Sequence, residues 1–326
     1  QNLMRKIIAI IISLTILGVI YWQIDMGNLG KSLLGIDWGY FGLAVIMTAP
    51  LIAMSAWRLN FLAPAQAKLN YLQSLNLTLM ASVLNVVLPS KLGDLVRSIA
   101  LTEQGHMQPA NALALVVFEK TWDVLALLFW CTLGIVIIAS TSPFYWVVLI
   151  TILPVALLGM FMVSSAKFAE FCFSIALNLA PGRLPAKIAV IQAAWLETLV
   201  HFWSDKRNAA IVVVGSIVLW LLQLCQIWLF VFALNHAIPF TSNAAMAALS
   251  IFVGLLPFTF AGIGARDAAL IFFYQPFLAA PVAAALGLFC SLRYLLPALI
   301  GLPFLGQYLS IARRVKNGTG DKDSVS

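Results

Sequence analysis

An interrupted helix that occurs twice constrains this chain more than any other feature. Residues 84–101 read LNVVLPSKLGDLVRSIAL and residues 256–270 read LPFTFAGIGARDAAL. In both, Leu-Pro closes an apolar run, at Leu88-Pro89 and at Leu256-Pro257. In both, a glycine is followed four positions later by arginine, Gly93 by Arg97 and Gly262 by Arg266, and a leucine stands four further on, at Leu101 and Leu270. The second copy has one extra residue between proline and glycine. Proline removes an amide donor and clashes with the preceding turn, so each run must break there. In apolar surroundings a break strands backbone groups, and it is tolerated where it is buried in protein or lines water. Paired interrupted segments in the two halves of a chain point to a transporter's binding site between them.

The surroundings are indeed apolar. Of 326 residues, 62% are hydrophobic and 10% charged, with mean hydropathy +0.99, whereas about 25% of a soluble chain is charged. The expected fold is an all-α polytopic integral membrane protein. It has six full spans plus two oppositely inserted re-entrant broken helices, arranged like an inverted repeat. One membrane domain covers residues 1–310, and residues 311–326 read as a polar, disordered cytoplasmic tail. The four cysteines, Cys131, Cys172, Cys225 and Cys290, are far apart with no CxxC, which predicts free thiols and neither disulfides nor a metal site. No cofactor is expected.

Taken in order, the apolar runs predict spans at 7–22, 40–61, 109–140, 144–163, 209–234 and 281–305. The first broken segment has arms at 71–88 and 94–103, and the second has arms at 244–256 and 265–274. Arg58, next to Trp57, reads as a cation snorkelling at a span end. Residues 165–208 mix charge with apolar positions and predict one or two helices on the membrane surface. If both broken segments re-enter, 13 of the 19 Lys and Arg, Arg58 among them, fall on one side. Positive charge marks the cytoplasmic side. Both termini are therefore expected in the cytoplasm, and the two breaks enter from opposite faces.

A charge at the centre of a spanning helix costs about 2.5–3.5 kcal/mol and is rarely present without a task. Arg97, Arg266, Arg293, Asp94, Glu119, Lys120, Asp123 and Asp267 all fall in breaks or spans. Each break arginine lies in the first turn of its second arm, where the positive helix end adds to its charge. Together with Lys91 and the backbone around Gly93, Gly262 and Gly264, this predicts an anion site near the midplane, with phosphate as the guest. Glu119 and Asp123 share a helix face and are expected to hold the arginines apart when no lipid is bound. The alternative is structural bracing: Arg97 paired with Asp94, and Arg266 or Arg293 paired with Glu119 or Asp123.

These residues resemble a known family, the flippase-like membrane domain of lysylphosphatidylglycerol synthases and of stand-alone proteins in the same superfamily. The resemblance runs from the first span to Leu305. It rests on both breaks, on Glu119-Lys120 with Asp123, on Gly262-Ile263-Gly264 with Arg266-Asp267, and on Arg293 before Pro297 and Gly301. The family usually has Glu where Asp94 and Asp267 stand and Arg where Lys120 stands, so charge is kept while reach changes. The resemblance implies a stand-alone member without the aminoacyl-transferase domain. It also implies movement between leaflets of an anionic or modified phospholipid, or of a polyprenyl-phosphate-linked lipid.

Two other classes compete with a non-enzymatic flippase. One is an intramembrane lipid-modifying transferase, although His201 and Asp205 miss the acyltransferase HxxxxD spacing by one residue and no HExxH occurs. The other is an accessory membrane subunit of a glycosyltransferase system, docked through residues 165–208. The expected partners are a lipid with a phosphate headgroup, the inner (plasma) membrane, a cell-envelope glycosyltransferase or lipid-modifying enzyme, and a second copy in a homodimer. Nucleic acid is not expected.

Overall fold

A computed structural model describes residues 18, 25–64, 67, 69–87, 93–104, 107–138, 143–182, 184–255 and 264–320. Most of the described residues are helical, with no strand among them. The expected span at 7–22 and both Leu-Pro turns lie outside them.

The chain opens with three short helices, α1 (Met26–Leu34), α2 (Trp38–Ile46) and α3 (Thr48–Leu62). Asp25 and Asp37 cap the first two, each accepting two backbone amides, so both carboxylates offset unpaired amides at helix starts. One continuous span was expected at 40–61. The structure gives a single apolar stretch there, Trp38–Leu62, long enough to cross a membrane, with a kink at Met47 between α2 and α3. Pro50 explains the kink, because it has no N–H to offer the carbonyl of Ile46 and its ring crowds that oxygen.

The first broken segment gives α4 (Tyr71–Val87) and α5 (Gly93–Gln104). The long α6 (Pro109–Ile138) follows; its thirty residues span about 45 Å. Next come α7 (Pro143–Ser164), α8 (Ala166–Leu179), α9 (Leu184–Ser204) and α10 (Lys206–Ala233). Asp205 caps α10 by accepting from Arg207 and Asn208. The second broken segment gives α11 (Phe240–Leu255) and α12 (Ala265–Tyr274), and α13 (Ala280–Gly320) ends the described chain. It continues past the expected span end at Leu305 into the segment read as a tail, because no proline follows Pro303 to stop it.

Four helical stretches are long and apolar enough to cross a membrane: Trp38–Leu62, Trp146–Ser164, Lys206–Ala233 and Ala280–Phe304. Of these, the stretch in α7 is 11% buried and the one in α13 is 50% buried. Hence α7 is peripheral and shows its apolar surface (Val147, Ile150, Leu157) to the surroundings, while α13 is central.

The helices that carry the two breaks pack in a crossed pattern. Each second arm lies on the long helix that follows it, α5 on α6 and α12 on α13. Each first arm lies on the long helix of the other half, α4 on α13 and α11 on α6. A glycine makes each crossed seam close. At Gly134 of α6 an added Cβ would overlap Ala245 of α11, and at Gly301 of α13 it would come 2.5 Å from the Leu79 carbonyl oxygen of α4. In apolar surroundings, where helices gain little by hiding from lipid, such backbone approach is a main source of association. Alanines on α11 (Ala244, Ala247, Ala248) and on α13 (Ala283, Ala284, Ala285) pack in the same core.

The segment expected on the membrane surface forms two helices, α8 and α9, packed on each other. Trp195, Leu199 and Phe202 of α9 are buried with Phe118 and Trp122 of α6. Indole N–H groups of Trp195 and Trp203 donate to the carbonyls of Met162 and Val163, tying α9 to the end of α7.

Candidate functional site

The charges predicted at depth are buried, and they separate into two groups. The first group forms on α3, α5 and α6. Arg58 donates from Nη2 to Glu119 Oε1 at 3.1 Å and from Nη1 to Asp123 Oδ1 at 2.5 Å. Its Nη1 also reaches Ser216 of α10 at 3.1 Å. Arg97 donates to the other oxygen of Glu119. Lys120 bridges Asp94 and Asp123, at 3.2 Å to each. Asn85 of α4 then holds Asp94 from both sides: its side-chain N–H donates to the carboxylate and its oxygen accepts the Asp94 amide.

Three cations meet three carboxylates here, so the group is neutral. Arg58, Arg97 and Glu119 are each 2% exposed. Both oxygens of Glu119 are taken by guanidinium groups. Breaking such a pair from one side leaves an uncompensated buried charge and costs about 3–5 kcal/mol. The arrangement braces α3, α5 and α6; within it Arg58 Nε and Arg97 Nε are buried without a partner, and the Lys120 side chain is 39% exposed.

The bracing alternative raised from sequence therefore holds with different partners. Arg97 takes Glu119 and not Asp94; Asp94 takes Lys120. Neither Arg266 nor Arg293 meets Glu119 or Asp123. Arg58, expected as a snorkelling cation, is instead the hub of the group. The sequence did carry one signal for it: α6 brings two carboxylates on one face with a single lysine beside them, and a second cation was owed. Removing Arg58 from the charge count leaves twelve Lys and Arg on the expected cytoplasmic side.

The second group is on α12 and α13. Arg266 folds back on its neighbour Asp267, with Nε and Nη2 at 2.9 and 2.6 Å from Oδ1. Nη2 also donates to Ser291 Oγ at 2.7 Å and to the Gly287 carbonyl at 3.2 Å. Gly264, at φ +96°, starts α12 in a conformation that side-chain-bearing residues rarely adopt. Gly254 of α11 leaves space that Arg266 fills, since an added Cβ would come 2.8 Å from the arginine Cβ.

Arg293, one turn along α13, is different. It donates to Gln223 Oε1 of α10 at 2.8 Å, and no carboxylate among the described residues lies within ion-pair distance. The Tyr294 ring sits between the two arginines, 5.8 Å from the Arg266 guanidinium carbon and 5.4 Å from that of Arg293, close enough for cation–π attraction. With two arginines and one aspartate, this group is net positive by one.

Arg293 and Tyr294 line a cavity of about 140 Å³ between α3, α4, α10 and α13, which therefore draws walls from both halves. Thr48, Ser55, Thr78, Ser82, Gln223 and Gln226 supply polar groups, and Leu51, Ile52, Leu219 and Pro297 apolar ones. Arg97, Arg266, Glu119 and Asp123 do not line it. Thus, of the predicted residues that are described, only Arg293 reaches the polar cavity; Gly93 is pressed against α4, with an added Cβ 2.5 Å from the Asn85 amide. Lys91 and Gly262 lie outside the described residues. The four cysteines are free. No cluster of metal-ligating side chains occurs among the described residues.

A family model described as the lysylphosphatidylglycerol synthase TM region matches residues 6–301. A search of curated proteins gives no match.

Proposed function

We propose that this chain, which belongs to the lysylphosphatidylglycerol synthase TM-region family, moves anionic lipids between leaflets without chemically altering them. Family membership sets it in the membrane and in a lipid-related role. The observation that carries the finer reading is the cavity between the halves, in which Arg293 is a cation with no carboxylate partner among the described residues. An unneutralised guanidinium in apolar surroundings favours an anion, and its planar fork suits phosphate oxygens. Apolar lining beside it gives the acyl or prenyl chain a compatible path.

In this reading α6 joins the four apolar stretches as a crossing helix, the segment before residue 25 supplies a sixth, and the α4–α5 and α11–α12 pairs re-enter from opposite sides. The crossed packing of first arms supports two related halves. Both termini then face the cytoplasm. Exposed positions Lys31 and Thr241, replaced by cysteine in a cysteine-free chain, should react with an impermeant maleimide from outside intact cells. Labelling of residues in α8 from outside, with silence at these two, reverses the orientation. The exposed faces of α8 and α9 are a docking place for an enzyme that makes or consumes the lipid.

Transport is tested by reconstituting the purified chain in liposomes that contain fluorescent phosphatidylglycerol and bleaching the outer leaflet. The expected result is bleaching of the inner pool as well. Bleaching that stops at half, as in protein-free liposomes, overturns the reading.

A further inference from the structure

The cavity has a wall of definite charge and definite hydrogen-bond pattern. We propose that it takes a headgroup carrying a phosphate anion together with free hydroxyls, and rejects one carrying an ammonium group. This rests on the lipid-transport reading and narrows it.

Charge is the first argument. Arg293 is the one charged side chain among the described lining residues, and the nearest other arginine is neutralised by Asp267. A second cation entering here would meet a like charge in a medium that screens little. An aminoacylated headgroup, such as the lysyl ester in the family's name, brings ammonium groups and is the disfavoured guest.

Hydrogen-bond sense is the second. Gln226 is fully buried. Its Nε2 donates to the Ala44 carbonyl at 2.8 Å and to Thr48 Oγ1 at 3.1 Å, while its Oε1 is buried with no partner. Turning the amide over would set two acceptors against each other at Ala44, so the orientation is fixed by its partners. Ser55, Thr78 and Ser82 each donate their hydroxyl hydrogen to a carbonyl four residues back in the same helix, at 2.8, 2.8 and 3.0 Å. They keep only lone pairs for a guest. Gln223, whose oxygen is taken by Arg293, adds its amide N–H as a donor, so the wall shows one cation, one amide donor beside it and several acceptors. Hydroxyls satisfy acceptors without adding charge, and phosphate satisfies the cation. A glycerol phosphodiester has both, and so does a sugar phosphate on a polyprenyl chain.

The test is competitive lipid binding to the full-length chain in detergent, read by native mass spectrometry. The probes are phosphatidylglycerol, phosphatidylmethanol (the same anion without hydroxyls), phosphatidylethanolamine, lysylphosphatidylglycerol and a polyprenyl phosphoglucose. Phosphatidylglycerol should exceed phosphatidylmethanol about tenfold, the scale expected when a buried acceptor gains or lacks its donor. Both should exceed the two ammonium lipids. Arg293→Gln should erase the preference for anions. Gln226→Leu should narrow the gap between phosphatidylglycerol and phosphatidylmethanol while leaving the preference over ammonium lipids. If that variant fails to fold, Ser82→Ala and Thr78→Val should narrow the same gap. Stronger binding of the polyprenyl sugar than of phosphatidylglycerol supports the proposal and identifies the source as a glycolipid. Equal binding of phosphatidylglycerol and phosphatidylmethanol, or tighter binding of the lysyl lipid, overturns it. Lipid transport with no headgroup preference overturns this proposal and leaves the flippase reading intact. Selective binding with no transport does the reverse.

Discussion

The two break arginines share a sequence setting but not a structural one. Arg97 and Arg266 each follow a glycine by four residues and open the second arm of a broken helix. Arg97 is clamped by a carboxylate from the long helix behind it, and that carboxylate is also held by Arg58. Arg266 takes a carboxylate from the next residue and a hydroxyl and a carbonyl from its own long helix, α13. The first half uses its charges to brace itself. The second half settles the break arginine locally and leaves Arg293 over for the cavity. Repetition in sequence thus fixed where arginines stand and left open which of them is available. Availability follows from the count of nearby carboxylates.

The sharpest way to break this comparison is Glu119→Gln. Arg58 and Arg97 would both lose their shared anion, so the chain should lose about 3–5 kcal/mol of stability, or fail to accumulate, in thermal unfolding monitored by size exclusion. A variant as stable as wild type would show that the neutral group does not brace the first half. Arg293→Ala should behave in the opposite way. Transport should fall about 10- to 100-fold, the scale of one charge-assisted contact, with the melting temperature nearly unchanged. If Arg97→Ala instead abolishes transport in a fully stable protein while Arg293→Ala has no effect, the assignment of roles is reversed.

A smaller effect tests the symmetry of the seams. Gly134→Ala and Gly301→Ala should each cost about 1–3 kcal/mol, because overpacking forces backbone apart. Similar losses for the two would sharpen the picture of related halves; a loss at Gly301 alone would confine close approach to the seam beside the cavity. The smallest effect is expected for Lys120→Arg. The lysine side chain is 39% exposed and sits at the rim of its group, so the change should stay within about 1 kcal/mol, measured in the same unfolding assay.

Much of the fold was legible because proline and glycine punctuate this sequence. The arms of both broken segments, and the helices between them, begin and end within a few residues of where those signals put them. The long apolar run at 40–61 argued for one span, and the stretch Trp38–Leu62 agrees, with only the kink at Met47 left unread although Pro50 announced it. The site was legible as a set of charges but not as a set of pairs. Arg97 meets Glu119 only after α5 folds onto α6, and Arg58 meets Asp123 across 65 residues. Side-chain direction in a folded bundle decides such partners, and no spacing along the chain encodes it. Arg58 was misread for that reason: its aromatic neighbour suggested an interface, while its partners lay elsewhere. The acceptor character of the cavity was equally hidden, because it depends on where each serine or threonine hydrogen is already spent.

The crossed packing has a mechanical consequence. Following contacts from α4 to α13, α12, α11, α6, α5 and back to α4 returns to the start. Six helices form a closed linkage with no free end, so one joint cannot open unless others slide. Two walls of the cavity, α4 and α13, belong to that linkage. The other two, α3 and α10, pack on members of it, α3 on α4 and α10 on α6 and α11. Arg58 fastens α3 to the same frame through Glu119 and Asp123, so this wall of the cavity can shift only if the charged group that braces the first half shifts with it.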